Sequence, residues 1–218
     1  LQSGAAIAQV NALRRRISRL KGGGLARIVV GRRTYALMIS DVPGDDPRII
    51  GSGLLHAFTD EPAGAPGTAA LPPELRDFLD RLHSRPRILA DEPAVPVRIV
   101  ASAGSACRAA AAAARAHGLR ARLVRARIDG EAARLGVRFA ASLARQPAGV
   151  VQIRCGESTV NLPAQPGRGG RNQHLALAAA LELERRGLRD AHLLAAGTDG
   201  IDGSSSDAGA LVDVETCQ

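Results

Sequence analysis

Apolar residues open the chain at Ile7, Val10, Leu13, Ile17 and Leu20, the three- and four-residue steps of a helix face. Gly22-Gly23-Gly24 then predicts its end, because glycine accepts the left-handed backbone that closes helices. Two short apolar runs, Leu25–Val30 and Thr34–Ser40, read as strands, the second apolar enough to be covered on both faces. Ala57–Pro73 reads as a surface loop, and Pro72-Pro73 leads into a short amphipathic helix ending near His83. From there the pattern alternates. Pro96–Ser102 predicts a strand, Ala106–His117 a helix, Leu119–Ile128 a strand and Gly130–Arg145 a helix. Val150–Arg154 and Ser158–Leu162 read as a hairpin around Cys155-Gly156-Glu157. A helix follows at Arg171–Arg186 and a strand at Leu193–Thr198. Such alternation implies an α/β fold with a layered sheet and parallel strands.

Composition narrows the class. The 218 residues are 45% hydrophobic, enough for a core in one large or two small domains. Aromatic residues make up 2% and Trp is absent, so Ala, Leu, Val and Ile must fill that core. The formal charge of +8 suggests nucleic acid at first. Lys21 is the only lysine, however, and the arginines are scattered among acids, a bias expected from a GC-rich genome; no nucleic-acid partner is expected. Cys107, Cys155 and Cys217 are odd in number and form no CxxC pair, which suits reduced thiols in a cytoplasmic protein. Cys107, at a helix start, is read as a buried small apolar residue rather than a reactive thiol. No apolar run is long enough for a membrane span and no signal peptide is visible. The chain starts without Met and stops just past a motif, so it reads as a fragment.

Candidate chemistry lies at glycine-rich turns. GRGGRNQHLAL, Gly167–Leu177, places Gly169, Gly170, Arg171, Asn172 and Gln173 at a helix start, where free N–H groups and a guanidinium attract anions. Asn11, Arg14, Ser18 and Lys21 share one side of the first helix, read either as a solvated basic face or as a stripe facing an anionic ligand. Asp41 and Asp45 leave the second strand in SDVPGDDP, read either as turn residues or as ligand-facing carboxylates. Asp199 and Asp202, in GTDGIDG with Asp207 beyond, suit Mg²⁺ or substrate hydroxyls.

Five ordered motifs resemble the glycerate 2-kinases that carry a MOFRL domain. NALRRRISRLKGG is similar to Asn-x-x-Arg-Lys-His-Leu-Ser-x-x-Lys-Gly-Gly, and SDVPGDDP with Gly51-Ser52-Gly53 to Ser-Asp-Val-x-Gly-Asp with Ser-Gly-Pro. CGESTV resembles Gly-Gly-Glu-Thr-Thr-Val, GRGGRNQ matches directly, and GTDGIDG resembles Thr-Asp-Gly-x-Asp-Gly. The resemblance implies a Rossmann-like α/β domain, of which 1–147 is the later part, a truncated MOFRL domain at 148–218, and an active site in the cleft between them. It implies transfer of the γ-phosphoryl of ATP to the 2-hydroxyl of D-glycerate, with Mg²⁺, by a small-molecule kinase. Arg171, Asp41 and Asp45 become the catalytic candidates, and Asp199 and Asp202 the metal candidates. Arg171 with the Gly169-Gly170 backbone is expected to hold a phosphate oxygen or the glycerate carboxylate. Asn11, Arg14, Lys21, Asn172 and Gln173 supply charge and orienting hydrogen bonds, and Glu157 positions a loop. Arg16, Leu54 and His174 depart from the family's His, Pro and Glu. The family's Gly-x-Gly-Lys and Thr-Gly-Pro-Thr-Gly-Thr-Asn motifs are missing, so the isolated chain is expected to be inactive. Relatives have been called hydroxypyruvate reductases, but no GxGxxG dinucleotide fingerprint is present. A noncatalytic basic binding fragment is the third reading.

Overall fold

The computed structural model describes residues 11–12, 14–15, 17–56, 77 and 95–217. The expected loop at 57–73 and the helix ending near His83 lie outside the described residues, apart from the helical residue Asp77. Two compact units emerge, Leu1–Ser102 and Ala103–Gln218, each described by itself.

In the first unit the opening helix is already over at Ser18, so Ser18 and Lys21 lie beyond it. The Ser18 hydroxyl accepts from the N–H groups of Leu20 and Lys21, offering the backbone a turn in place of another helical step. Leu25–Val30 is not a strand: α1 (Gly24–Ile28) is a short helix. Gly23, with φ 83°, turns the chain into it, and the N–H groups of Gly23 and Leu25 donate to the carbonyls of Gly53 and Leu54. Backbone partners at 53–54 thus fix a helix where six apolar residues alone are ambiguous.

β1 (Ala36–Ser40) pairs in parallel with β2 (Val97–Ser102), Ala36 opposite Val97 and Ser40 opposite Ser102. Met38 is buried with Ala26 and Leu55 in a small cluster. Leu37 and Ile39 are 71% and 74% exposed, so β1 is covered on one face rather than both.

The second unit is mixed α/β with parallel pairs, as the alternation predicts. α2 (Ala103–Ala116) leads to β3 (Arg120–Leu123), and a bend separates β3 from β4 (Ile128–Glu131). The run expected as one strand at 119–128 is therefore two. Glu131 caps α3 (Ala132–Leu143), its carboxylate accepting from the N–H groups of Ala133 and Arg134. β5 (Val150–Ile153) pairs in parallel with β3, and β6 (Gly156–Thr159) in parallel with β4. The expected hairpin does not form. Gly156, at φ 141°, lies so close to Ile128 that a Cβ there would meet its carbonyl oxygen at 2.3 Å, which directs β6 onto β4.

α4 (Arg171–Arg186) has the predicted bounds, and β7 (Leu193–Ala196) pairs antiparallel with β8 (Gly209–Val212). Small residues build the core: Ala140, Ala176, Ala179, Ala180, Leu183 and Val212 form one cluster, and Ala132, Leu135, Phe139 and Leu175 another. The expectation of an aromatic-poor core holds. At the far end of α4, Glu182 keeps a side chain 8% exposed and pairs with Arg185 at 2.7 Å and Arg186 at 2.5 Å. Hydrogen bonds from Arg185 and then Arg186 hold its carboxyl at about 2. A depressed carboxyl stabilises the fold above its unfolded value of 4.5, and that stabilisation fades as pH falls towards about 2. Thermal melts should therefore show Glu182→Gln closing its gap with the parent chain between pH 5 and pH 2. A gap independent of pH contradicts this assignment.

Candidate functional site: two glycine-turn clusters

In the first unit the stretch ending Lys21-Gly22-Gly23 meets Gly51-Ser52-Gly53. The Gly22 N–H donates to the Ser52 carbonyl at 3.1 Å, and Lys21 Nζ donates to the Gly51 carbonyl at 2.9 Å. Asn11 Oδ1 accepts from Arg14 Nη1 at 3.2 Å. The shared helical stripe is thus replaced by two local arrangements, one on the helix and one on the turn. Asp45 and Ser52 are the non-glycine residues with positive φ, 54° and 63°, among the described residues. Such left-handed backbone is strained for side-chain-bearing residues and concentrates at functional turns. Asp41 is exposed, and Asp45 lies in a short 3-10 turn, Pro43–Asp45. Asp46, which sequence reasoning passed over, is the aspartate of this run with an ion pair: Arg48 Nη2 reaches it at 2.7 Å, and hydrogen bonds from Arg48 hold its carboxyl at about 2.

In the second unit the structure joins three of the motifs. Asp202 is 2% exposed and lies at the start of α4. Its Oδ1 accepts from the Asn172 N–H and from Asn172 Nδ2, both at 3.1 Å, and its Oδ2 accepts from the Gln173 N–H at 2.7 Å. The helix start expected to receive a ligand's anion receives the chain's own carboxylate instead, which suits its unsatisfied N–H groups and its dipole. A Cβ on Gly170 would meet Asp202 Oδ1 at 2.4 Å, so the glycine is what allows the approach. Gln173 Nε2 donates to Ser205 Oγ at 2.8 Å, and the Ser204 N–H donates to the Gly169 carbonyl at 3.1 Å. Asn172, Gln173 and Gly169 therefore bind loop to loop.

Arg171 points elsewhere. Its Nη1 lies 2.5 Å from Glu157 Oε1, with the two side chains 46% and 64% exposed. Glu157, from CGES, thus steers the arginine of GRGGRNQ at the solvent edge of the loop cluster. Asp199 stays exposed in its turn, where its Oδ1 accepts from the Ile201 N–H at 3.4 Å. Among the described residues no three His, Cys, Asp or Glu side chains converge to hold a metal ion. Asp199 and Asp202 therefore make no ready-made cage, since both Asp202 oxygens are engaged by α4. Cys107 is half-buried rather than buried as read from sequence; partial burial first, then a hydrogen bond with Cys155, push its thiol up to about 11.

One prediction arises here. Asp202→Ala should cost about 1–2 kcal/mol, the usual loss when a helix start loses its capping oxygen. A urea melt reads it. An unchanged midpoint contradicts the capping role.

The fold and these clusters define an α/β protein with charged groups at glycine turns in each unit. Residues 150–218 match the MOFRL family, and residues 1–66 match a domain of unknown function (DUF4147). The chain is 39% identical to a putative hydroxypyruvate reductase of Agrobacterium vitis, over 97% of this chain and 50% of that protein. It is 34% identical to the D-glycerate 2-kinase of Thermotoga maritima, over 100% of this chain and 53% of that protein. The crystal structure of the glycerate kinase from Thermotoga maritima superposes with a TM-score of 0.76 and 29% identity, over 97% of this chain and 52% of that one. The chain belongs to the MOFRL-domain glycerate kinase family. It spans about half the length of the curated relatives it matches.

Proposed function

We propose that the protein transfers the γ-phosphoryl group of ATP to the 2-hydroxyl of D-glycerate, giving 2-phosphoglycerate and ADP. The observation that carries this reading is the exposed Arg171, held by Glu157 at the head of α4 beside the buried Asp202 cap. Phosphoryl transfer asks a protein mainly for positioning and for positive charge around the moving group. An exposed ion pair is worth about 0–1 kcal/mol, so a substrate phosphate or carboxylate can replace Glu157 at little cost. Asp202, Asn172, Gln173, Gly169 and Gly170 serve this site by fixing the loop from which Arg171 projects.

Within the first unit, Lys21 and Arg14 are the candidate cations, Asn11 holds Arg14, and the exposed Asp41 and half-buried Asp45 are the candidate carboxylates; within the second, Asp199 is exposed. Mg²⁺ fits as an ion carried by the nucleotide phosphates with one or two carboxylates rather than as a protein-caged ion. Asp199 is the residue of the second unit suited to it. The family's domain boundary is placed between residues 147 and 148, supported by a MOFRL match that begins at residue 150. Three free thiols support a cytoplasmic setting, and among the described residues no helix is long and apolar enough to cross a membrane.

The test is an assay of a protein of the relatives' full length carrying this sequence, with ATP, Mg²⁺ and D-glycerate and with 2- and 3-phosphoglycerate separated. Formation of 2-phosphoglycerate is expected. A folded protein that makes no phosphorylated product, yet oxidises NADH with hydroxypyruvate, overturns the reading in favour of the reductase name borne by the Agrobacterium vitis relative.

A further inference from the structure

A second basic cluster stands apart from Arg171. Parallel pairing places Arg122 of β3 opposite Gln152 of β5. Arg154, two residues beyond Gln152, returns to the same side of the strand direction. Its Nη2 donates to Gln152 Oε1 at 2.9 Å, and its guanidinium carbon lies 4.6 Å from the centre of the Phe139 ring. Arg138, next to Phe139 on α3, brings its own guanidinium within 5.6 Å of the same ring. Two cations therefore share one aromatic ring, with a third on the neighbouring strand. The ring's negative face offsets part of their repulsion.

No internal counter-ion among the described residues offsets the rest. Among the described residues none of the three arginines is ion-paired with a carboxylate. Between residues 115 and 154 the chain carries nine arginines against two acids, Asp129 and Glu131. Both Glu131 oxygens are engaged by the start of α3. The even scatter suggested by the sequence is thus broken in this stretch. Burial first, and then the charges of Arg138 and Arg122, lower the pKa of Arg154. A guanidinium stays protonated under such pressure, so the charge persists until an anion answers it.

We propose that Arg122, Arg138 and Arg154 form a binding site for a small, multiply charged phosphate anion, separate from the Arg171 cluster. Planar guanidinium forks match phosphate oxygens in pairs, and three of them suit an oligophosphate better than a single carboxylate. Phe139 is 7% exposed and lies beneath Arg154, so it offers no platform for stacking a base. That favours a small oligophosphate over a nucleic-acid strand. The source is either free oligophosphate or the phosphates of a nucleotide, which share this chemistry.

Titration calorimetry of the 218-residue chain with tripolyphosphate, at constant ionic strength and without Mg²⁺, tests the site directly and does not depend on kinase activity. Saturable one-site binding is expected, weakened about tenfold or more in Arg154→Gln and in Arg138→Gln. Arg145→Gln, which removes the same charge from the exposed turn after α3, should stay within about twofold of the parent. Circular dichroism checks each fold. If Arg154→Gln does not fold, Arg154→Lys keeps the charge while losing the fork, and the same weakening is expected. ATP displacing tripolyphosphate supports the site with a nucleotide source, and no displacement supports it with a free oligophosphate source. Absence of saturable binding, equal losses in all three Gln variants, or a single-stranded RNA that binds more tightly than tripolyphosphate through the same arginines overturns the proposal.

Discussion

Replacing Arg171 with Ala is expected to lower D-glycerate turnover about a hundredfold or more in a full-length protein carrying this chain, with the fold retained. Two magnitudes separate these effects. The Arg171–Glu157 pair has side chains 46% and 64% exposed, so losing it should change stability by no more than about 1 kcal/mol. A preorganised positive group at a transferring phosphoryl or its acceptor, by contrast, typically lowers the barrier by several kcal/mol. Arg171→Lys should fall between the two, because it keeps charge and loses the fork. Glu157→Gln should reduce activity less, since it frees the guanidinium without removing it. Initial rates and a thermal melt on the same preparations read both effects. Intact turnover in Arg171→Ala sinks the assignment, and a large loss of melting temperature shows a structural role instead.

Legibility in the sequence followed how much local information each segment carries. α4 was readable to the residue, because glycines precede Arg171 and Gly187 closes the helix with φ 64°. Leu25–Val30 was not, because six apolar residues satisfy a short strand and a buried helix turn equally, and hydrogen bonds to residues 53 and 54 decide between them. Val150–Arg154 and Ser158–Leu162 are strand-like in either arrangement. Their pairing with β3 and β4 depends on a close backbone approach at Gly156 that composition does not encode. The site was half visible in the same sense. Spacing could mark Asp202 as a carboxylate on a glycine turn. It could not show that the N–H groups of Asn172 and Gln173 would hold it, leaving Arg171 to face Glu157. Arg122 and Arg154 are 32 positions apart in sequence, and only the β3–β5 register brings them to one side.

Gly136→Ala should be the most damaging single-methyl change among those considered for the second unit, costing about 1 kcal/mol net. Gly136 lies inside α3, where alanine ordinarily improves helix stability by roughly 1 kcal/mol. Here a Cβ would meet the Leu175 carbonyl oxygen of α4 at 2.2 Å and Ala178 Cβ at 3.0 Å. The first obstacle is backbone and cannot swing aside, so the helices must separate. Separation loosens both core clusters, which use Ala140, Ala176 and Ala179 on one side and Leu135, Phe139 and Leu175 on the other. Overpacking of this kind costs about 1–3 kcal/mol, and a core of small residues lacks long side chains that could adapt. The packing loss should therefore exceed the propensity gain. The same movement shifts the α4 start, where Asp202 holds Asn172 and Gln173, so a stability lesion in α3 should also weaken the Arg171 site. A urea melt of Gly136→Ala beside an exposed alanine control such as Ala110→Gly in α2 separates the two terms. A stabilised Gly136→Ala chain shows that α3 and α4 can part at no cost, contrary to the close packing described.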